Sequence, residues 1–369
     1  MEETLDILKA LIKSDSQCTK SNKDIILYIK KLLNKFEIKE FSFRSRGIEL
    51  FNIVVKINGK SSANPLVFLG HTDTVPASSK WDTNPLEPIA KEEKLYGLGA
   101  SDMKAGLACI LAAALSLEKT PEKDIYLIFD ADEEGDGVGG RELLKSFYLK
   151  DARVIVAEPS DRKIIYSHKG CLDILIELEG KEGHSSQADF KYCRENSAVH
   201  KALEISNKIL EYAREIELKK DEFLGKPTLN IGRIEGGTGA NIVAGRCKVK
   251  LCRRLIPSEN IEEEYEKIKN IVYSMDKKAK ITPTFWAPTF NGNKDGELAN
   301  QILKLSKGIF PELFFGVKPS TTEAGLFQKY GDTLIFGPGS LDTAHKPNEW
   351  VDMKDLEKFT KIYKLIMEL

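Results

Sequence analysis

One pattern in this chain narrows the folds open to it. Short, near-continuous apolar runs end on a histidine or a carboxylate, and helix-like stretches lie between them. PLVFLGHTDTVP, DIYLIFDADEEGDG, ARVIVAEPSD and DTLIFGPGSLDTAH all have this form. Strands written as unbroken Val, Ile, Leu and Phe are buried on both faces, as in parallel sheets covered by helices. ELFNIVVKI adds a further strand. LDILKALIK, DIILYIKKLLNKF, MKAGLACILAAALSLEK, GGRELLKSFYL and DLEKFTKIYKLIMEL read as helices. The alternation predicts an α/β fold with a mostly parallel central sheet.

The character shifts between Gly170 and Trp286. KGCLDILIELEG alternates as a half-exposed strand does, and SAVHKALEISNKILEYAREIEL is a long amphipathic helix. PTLNIGRIEGG and RCKVKLCRRLIP follow as strands, then a helix through IEEEYEKIKNIVYSM and the strand AKITPTFW. The order βαββαβ is that of a ferredoxin-like α+β layer. At 369 residues the chain exceeds what one hydrophobic core usually supports. The expected organisation is a discontinuous α/β domain, residues 1–169 and 287–369, with residues 170–286 inserted as a smaller α+β domain.

Charge and composition exclude several classes. Lys and Arg number 55 against 56 Asp and Glu, and no basic stripe stands out, which argues against nucleic acid. No apolar run approaches the roughly 18 residues that cross a bilayer. The first residues lack the basic-then-apolar order of a signal peptide. None of the six cysteines form C-x-x-C, so they read as free thiols in a reducing cytoplasm. Cys247 and Cys252, five apart on one predicted strand, fall on opposite faces.

In open α/β sheets ligands bind beyond the carboxyl ends of the strands. The chain gathers His71, Asp73, Asp102, Glu133, Glu134, Glu158 and His345 at such positions, although it has only five histidines. Two imidazoles and three carboxylates suit zinc. Without cations, three converging carboxylates would repel one another and rise in pKa. His71 and Asp73, two apart on an extended segment, share a face, so Asp73 is expected to accept from the imidazole nitrogen turned away from the metal. Glu133 and Glu134 can reach one site only past a strand end, which Gly135 and Gly137 permit. One glutamate could then bind metal while the other serves as general base. Each piece has a plainer alternative: Asp102 as a helix N-cap, the glutamates as a solvated turn, Glu158 as a loop acid, His345 as structural. Gly97-x-Gly99-x-x-Asp102 also approaches a dinucleotide fingerprint, but it lacks the third glycine and sets a carboxylate where a pyrophosphate would lie.

In their order, these motifs resemble the acetylornithine deacetylase and succinyl-diaminopimelate desuccinylase family of two-zinc metallohydrolases, from about Asn52 to Val351. SHKGCLDILIELEGKEGHSS and TTEAGLFQKYGDTLIFGPGSLDTAHKPNEW, with its Gly-Pro-Gly turn, Ala-His and Glu349, look closest to the acetylornithine deacetylase branch. The resemblance implies a zinc-peptidase-like catalytic domain in residues 1–169 and 287–369, a lid and dimerisation domain in residues 170–286, and two zinc ions per subunit, with cobalt or manganese as substitutes. Asp102 would bridge them, His71 and Glu158 holding one, Glu134 and His345 the other. Glu133 would be the base, Asp73 the orienting acid, and the peptide after Asp102 cis. His184 would support the oxyanion across a homodimer formed through the insert, and Asn241 and Arg254 would bind the substrate carboxylate. Cys252 stands where the family often has Asp, and Arg253 is an additional charge on that strand. The implied reaction removes an acyl group from an N-acyl amino acid. N-acetylornithine is the nearest substrate, with N-succinyl-diaminopimelate or a dipeptide as alternatives.

Overall fold

The computed structural model describes residues 2–369 and divides into two compact units, Met1–Tyr166 with Asn291–Gly316 and Thr322–Leu369, and Ser167–Phe290 with Val317–Thr321. The short return Val317–Thr321 lies outside the 170–286 span that the pattern of elements suggests.

Four strands run parallel through the centre of the first unit, in the order Lys123–Asp130, Ser61–His71, Ala152–Pro159, Gly331–Gly337. Ile48–Ile57 joins the first of them antiparallel, and Glu37–Ser45 pairs antiparallel with Ile48–Ile57. Lys163–His168 lies antiparallel beside Gly331–Gly337. The apolar runs are the central strands: Val67, Phe68 and Leu69 have no exposed surface, nor have Val154 and Ile155. The edge strand Glu37–Ser45 has a mostly exposed, mixed-charge sequence, EIKEFSFRS, which carries no apolar run to betray it.

The helix Lys104–Leu115 explains how both ends of the chain reach one core. It is buried from Lys104 through Ala114, as its apolar composition on every face requires. It packs against Glu2–Lys13, against Met353–Met367 and against the strands Ser61–His71 and Ala152–Pro159. Fully burying Leu107, Ile110 and Leu111 contributes about 1.5–3 kcal/mol each. Gly106 lets the helix approach the sheet, because a Cβ there would come within 2.2 Å of the Ala157 carbonyl oxygen.

In the second unit the strand order is Thr228–Gly236, Arg246–Leu255, Gly170–Glu179, Lys280–Ala287, with every neighbour antiparallel. That is the ferredoxin-like arrangement, with the first and third strands in the middle. Leu172, Ile174, Ile176 and Leu178 alternate inward and meet Cys247, Val249 and Leu251 over the helices Ala198–Ile216 and Ile261–Met275. Arg253 continues this inward series with no exposed surface. Its guanidinium binds Glu264 at 2.9 Å and Glu259 at 2.6 Å. The extra charge on the strand is therefore a buried ion-pair network, and alternation turns Arg254 to the other face.

Candidate metal centre and active site

Each cleft residue sits where a strand or loop has just ended. His71 closes Ser61–His71, and Glu158 lies at the end of Ala152–Pro159. Asp102 precedes the helix Lys104–Leu115 without capping it, since that helix has no side-chain cap. The Asp102–Met103 peptide is cis. Glu133 and Glu134 follow Lys123–Asp130 in a turn. His345 lies in the left-handed backbone region, at φ 59°.

Asp102 is at the centre. Its Oδ1 lies 3.3 Å from Nε2 of His71, and its Oδ2 lies 3.4 Å from Nε2 of His345. Glu158 approaches the His71 nitrogen at 3.3 Å, and Glu134 the His345 nitrogen at 2.6 Å. Ligand atoms of His71, Asp102 and Glu158 lie within 4.8 Å of one another, as do those of Asp102, Glu134 and His345, and those of His71, Glu133 and Glu134. The structure thus brings together the five sequence-predicted ligands and the predicted base. One carboxylate offers one oxygen to each of two ligand sets, the geometry that two divalent ions sharing a bridge require.

The electrostatics fit cations as well. Burial alone would lower the His71 pKa, but hydrogen bonds to Asp102 and Glu158 hold it well above its ordinary value. Asp102 and Glu134 push His345 up to about 11. Burial drives Glu134 up to about 7, against the pull of His345. Burial likewise lifts Glu133 well above the usual carboxylate range, and Glu134, Glu158 and Asp102 add to the lift. Burial and neighbouring negative charge raise both glutamates, a condition that divalent cations relieve.

Further residues hold the ligands in place. Asp73 differs from the sequence-based expectation. His71 Nδ1 meets the backbone carbonyl of Asp73 at 3.0 Å, whereas the Asp73 carboxylate is 3.7 Å away, too far for a hydrogen bond. That carboxylate instead accepts the backbone N–H groups of Glu133 at 3.2 Å and Glu134 at 3.0 Å. One residue therefore orients the imidazole by its main chain and the two glutamates by its side chain. Glu349 does the same for Asp102: its carboxylate accepts N–H groups from Gly99 at 2.9 Å, Ser101 at 2.7 Å and Asp102 at 2.8 Å. Burial still pushes Glu349 up to about 7.

Sequence reasoning missed three contributors. Asp132, at φ 68°, binds Arg46 and accepts from the Val138 N–H, which shapes the turn carrying both glutamates. Asn52 donates to the Gly139 carbonyl and accepts from the Ala131 N–H, clamping that turn from both sides. Asp130, pushed up to about 6 by burial, faces Glu323, which burial and Asp130 raise well above its ordinary value. The run DADEEGDG advertises these acids, but their partners are distant in sequence.

The remaining predicted residues belong to the second unit. His184 is exposed, and its Nδ1 accepts from the Ser186 N–H at 3.2 Å. The two-residue strand Gly183–His184 pairs with Ile242–Val243, and the Ser185 N–H bonds to the Asn241 carbonyl at 2.9 Å, so His184 and Asn241 are neighbours. Arg254 is not with them. It stands opposite Cys171, near the start of Gly170–Glu179, whereas Gly180 and Gly245 at the other end of that ladder adjoin the ribbon. His168 is buried and its Nδ1 meets the Lys169 carbonyl, in keeping with a structural histidine.

Comparison with known proteins agrees with this arrangement. An acetylornithine deacetylase of Buchnera aphidicola subsp. Schizaphis graminum is 29% identical over 99% of this chain and 96% of its own length. The fold is similar to that of a Staphylococcus aureus tripeptidase, with TM-score 0.77 and 20% identity over 100% of this chain and 97% of that one. It is also similar to that of Bacillus subtilis YXEP, described as a dinuclear metal binding peptidase, with TM-score 0.67 and 13% identity over 100% and 98% of the two chains. A family model, Peptidase family M20/M25/M40, matches residues 67–369. That span opens four residues before His71 and takes in every side chain of the cleft from there to Glu349, and the chain accordingly belongs to peptidase family M20/M25/M40 and is a metallohydrolase of amide bonds.

Proposed function

We propose that this enzyme removes the acyl group from an N-acyl amino acid, with N-acetylornithine the first substrate to try, yielding ornithine and acetate. The observation that carries the hydrolytic reading is the Asp102 carboxylate, one oxygen toward His71 and the other toward His345, with Glu133 beside them. The choice of acyl group rests on the full-length similarity to an acetylornithine deacetylase.

His71 and Glu158 would hold one zinc ion, Glu134 and His345 a second, and Asp102 both; cobalt or manganese suits the same ligands. Bound there, the ions would polarise the amide carbonyl and bring the pKa of water toward neutrality. Glu133 takes a proton from the attacking water and returns it to the leaving amine. Its raised pKa lies in the direction that a proton shuttle at neutral pH needs. Asp73 keeps Glu133 and Glu134 from exchanging roles by fixing both backbones.

Arg254 pairs with the substrate carboxylate. His184 and Asn241 lie beyond the far end of the strand that carries Arg254, and the nine residues from Arg246 to Arg254 alone span roughly 25 Å. One insert cannot offer both ends to one small substrate. We therefore assign the oxyanion donor to His184 of the partner subunit, in a homodimer formed through the insert. The free cysteines fit a cytoplasmic setting.

The test is amine release from a panel of N-acetylornithine, other N-acetyl amino acids, N-succinyl-diaminopimelate and dipeptides, with and without added zinc or cobalt. Metal-dependent release from N-acetylornithine above the rest is expected. Preference for the succinyl substrate or a dipeptide would move the chain to that branch. No hydrolysis of any member by metal-loaded protein would contradict the reading.

A further inference from the structure

A second group of ligand-type side chains lies in the insert, on the sheet face turned away from its helices. Cys171 and Asp173 are two apart on Gly170–Glu179, so they share a face. In the antiparallel register Asp173 stands opposite Cys252, and Cys171 opposite Arg254. Opposed residues share a face, so all four emerge together. The residues between them, Leu172 and Arg253, turn the other way and are buried.

The distances are those of a coordination sphere. Cys171 Sγ lies 3.7 Å from Cys252 Sγ and 3.5 Å from an Asp173 carboxylate oxygen. Ligand atoms of all three residues fall within 4.8 Å of one another. With Zn–S about 2.3 Å and Zn–O about 2.0 Å, a tetrahedral ion sets two sulfurs roughly 3.8 Å apart and a sulfur roughly 3.5 Å from an oxygen. A disulfide would need an S–S separation of about 2.05 Å, and both cysteines are free. Two thiolates and one carboxylate carry three negative charges. A divalent ion leaves one, on the same face as the Arg254 guanidinium. Sulfur ligands favour zinc and softer ions over magnesium or calcium.

We propose that Cys171, Cys252 and Asp173 form an additional metal site, made from other side chains than the carboxylate–imidazole cleft, which takes a thiol-preferring divalent cation such as zinc in a tetrahedral arrangement with one open position. The ion would clip the first strand of the insert to the strand that bears Arg254, and so fix the backbone from which that side chain projects.

The test is a cobalt titration of the full chain, metal-stripped and with its thiols reduced. The cleft offers nitrogen and oxygen ligands, so a near-ultraviolet thiolate-to-cobalt charge-transfer band reports the Cys171–Cys252 site alone. Wild type is expected to bind three cobalt ions at saturation, one of them with this band. Cys252→Ser is expected to lose the band and one bound cobalt, while keeping the visible bands of cobalt in the cleft, which also show that the variant has folded. Asp173→Asn is expected to keep a weaker band at lower cobalt affinity. A saturated wild type without the band, a band that survives Cys252→Ser, or an unchanged affinity in Asp173→Asn would each overturn the proposal.

Discussion

In the first unit, the polar groups of the cleft are backed by other residues. Asp102 hangs from a loop whose N–H groups bind Glu349, Glu133 and Glu134 hang from Asp73, and their turn is held by Arg46, Asp132 and Asn52. In the insert the polar residues divide. Arg253 is buried in ion pairs, whereas His184 is exposed on a two-residue strand and meets its own neighbour Ser186. The contrast separates two ways of using polar side chains. The cleft fixes its ligands before any ion or substrate arrives, which keeps the reorganisation cost of coordination low. His184 has no comparable support, which suits a group positioned by another surface.

Substitutions can break this comparison. Arg253→Leu should destabilise the insert by about 1–3 kcal/mol, because Glu259 and Glu264 lose their one fully buried cation and keep only the more exposed Lys219 and Lys267. Thermal unfolding should show that loss with the metal content of the cleft unchanged; a metal lost from the cleft would mean that the two units are not independent in this respect. His184→Ala should leave stability and metal content as they are and lower kcat by about 100- to 1,000-fold. Wild-type kcat would remove His184 from the chemistry. Glu349→Gln should weaken metal binding by about 10–100-fold, since the new amide turns an N–H toward the donors of Gly99–Asp102. Metal competition against a chelator would read this, and unchanged affinity would show that the loop holds Asp102 unaided.

A smaller effect concerns protons. In the metal-free cleft Asp102 and Glu134 push His345 up to about 11, and hydrogen bonds to Asp102 and Glu158 raise His71, so both shifts favour the protonated imidazole. Coordination needs them neutral, and metal uptake must expel protons. Apparent affinity should therefore fall as pH is lowered from mildly alkaline to mildly acidic. Calorimetry in buffers of different ionisation heat would count the protons, and zero release would contradict the assignment of His71 and His345 as ligands.

The cleft was more legible in the sequence than the parts that hold it. His71, Glu158 and the Glu133–Glu134 pair follow apolar runs that mark central parallel strands, so their edge of the sheet could be read before any coordinates. The edge strand Glu37–Ser45 escaped because exposure on both sides erases hydrophobic patterning. The grip of Asp73 on two backbone N–H groups could not be read either, since i,i+2 spacing pointed to the imidazole and only the turn geometry redirects the carboxylate. Arg253 and Cys252 looked like irregularities of one strand. Alternation sends them to opposite faces, but their partners Glu264 and Cys171 come from a helix and a neighbouring strand whose register the chain does not spell out.

The most direct test of the account separates the two adjacent glutamates. Glu133→Gln and Glu134→Gln would be compared for bound metal and for turnover on the best substrate of the panel. The account predicts that Glu133→Gln keeps both metals of the cleft and loses turnover by about 100-fold or more, the scale of a missing general base, whereas Glu134→Gln loses metal from the cleft. A metal-depleted Glu133→Gln protein, or one that turns over at the wild-type rate, would contradict it.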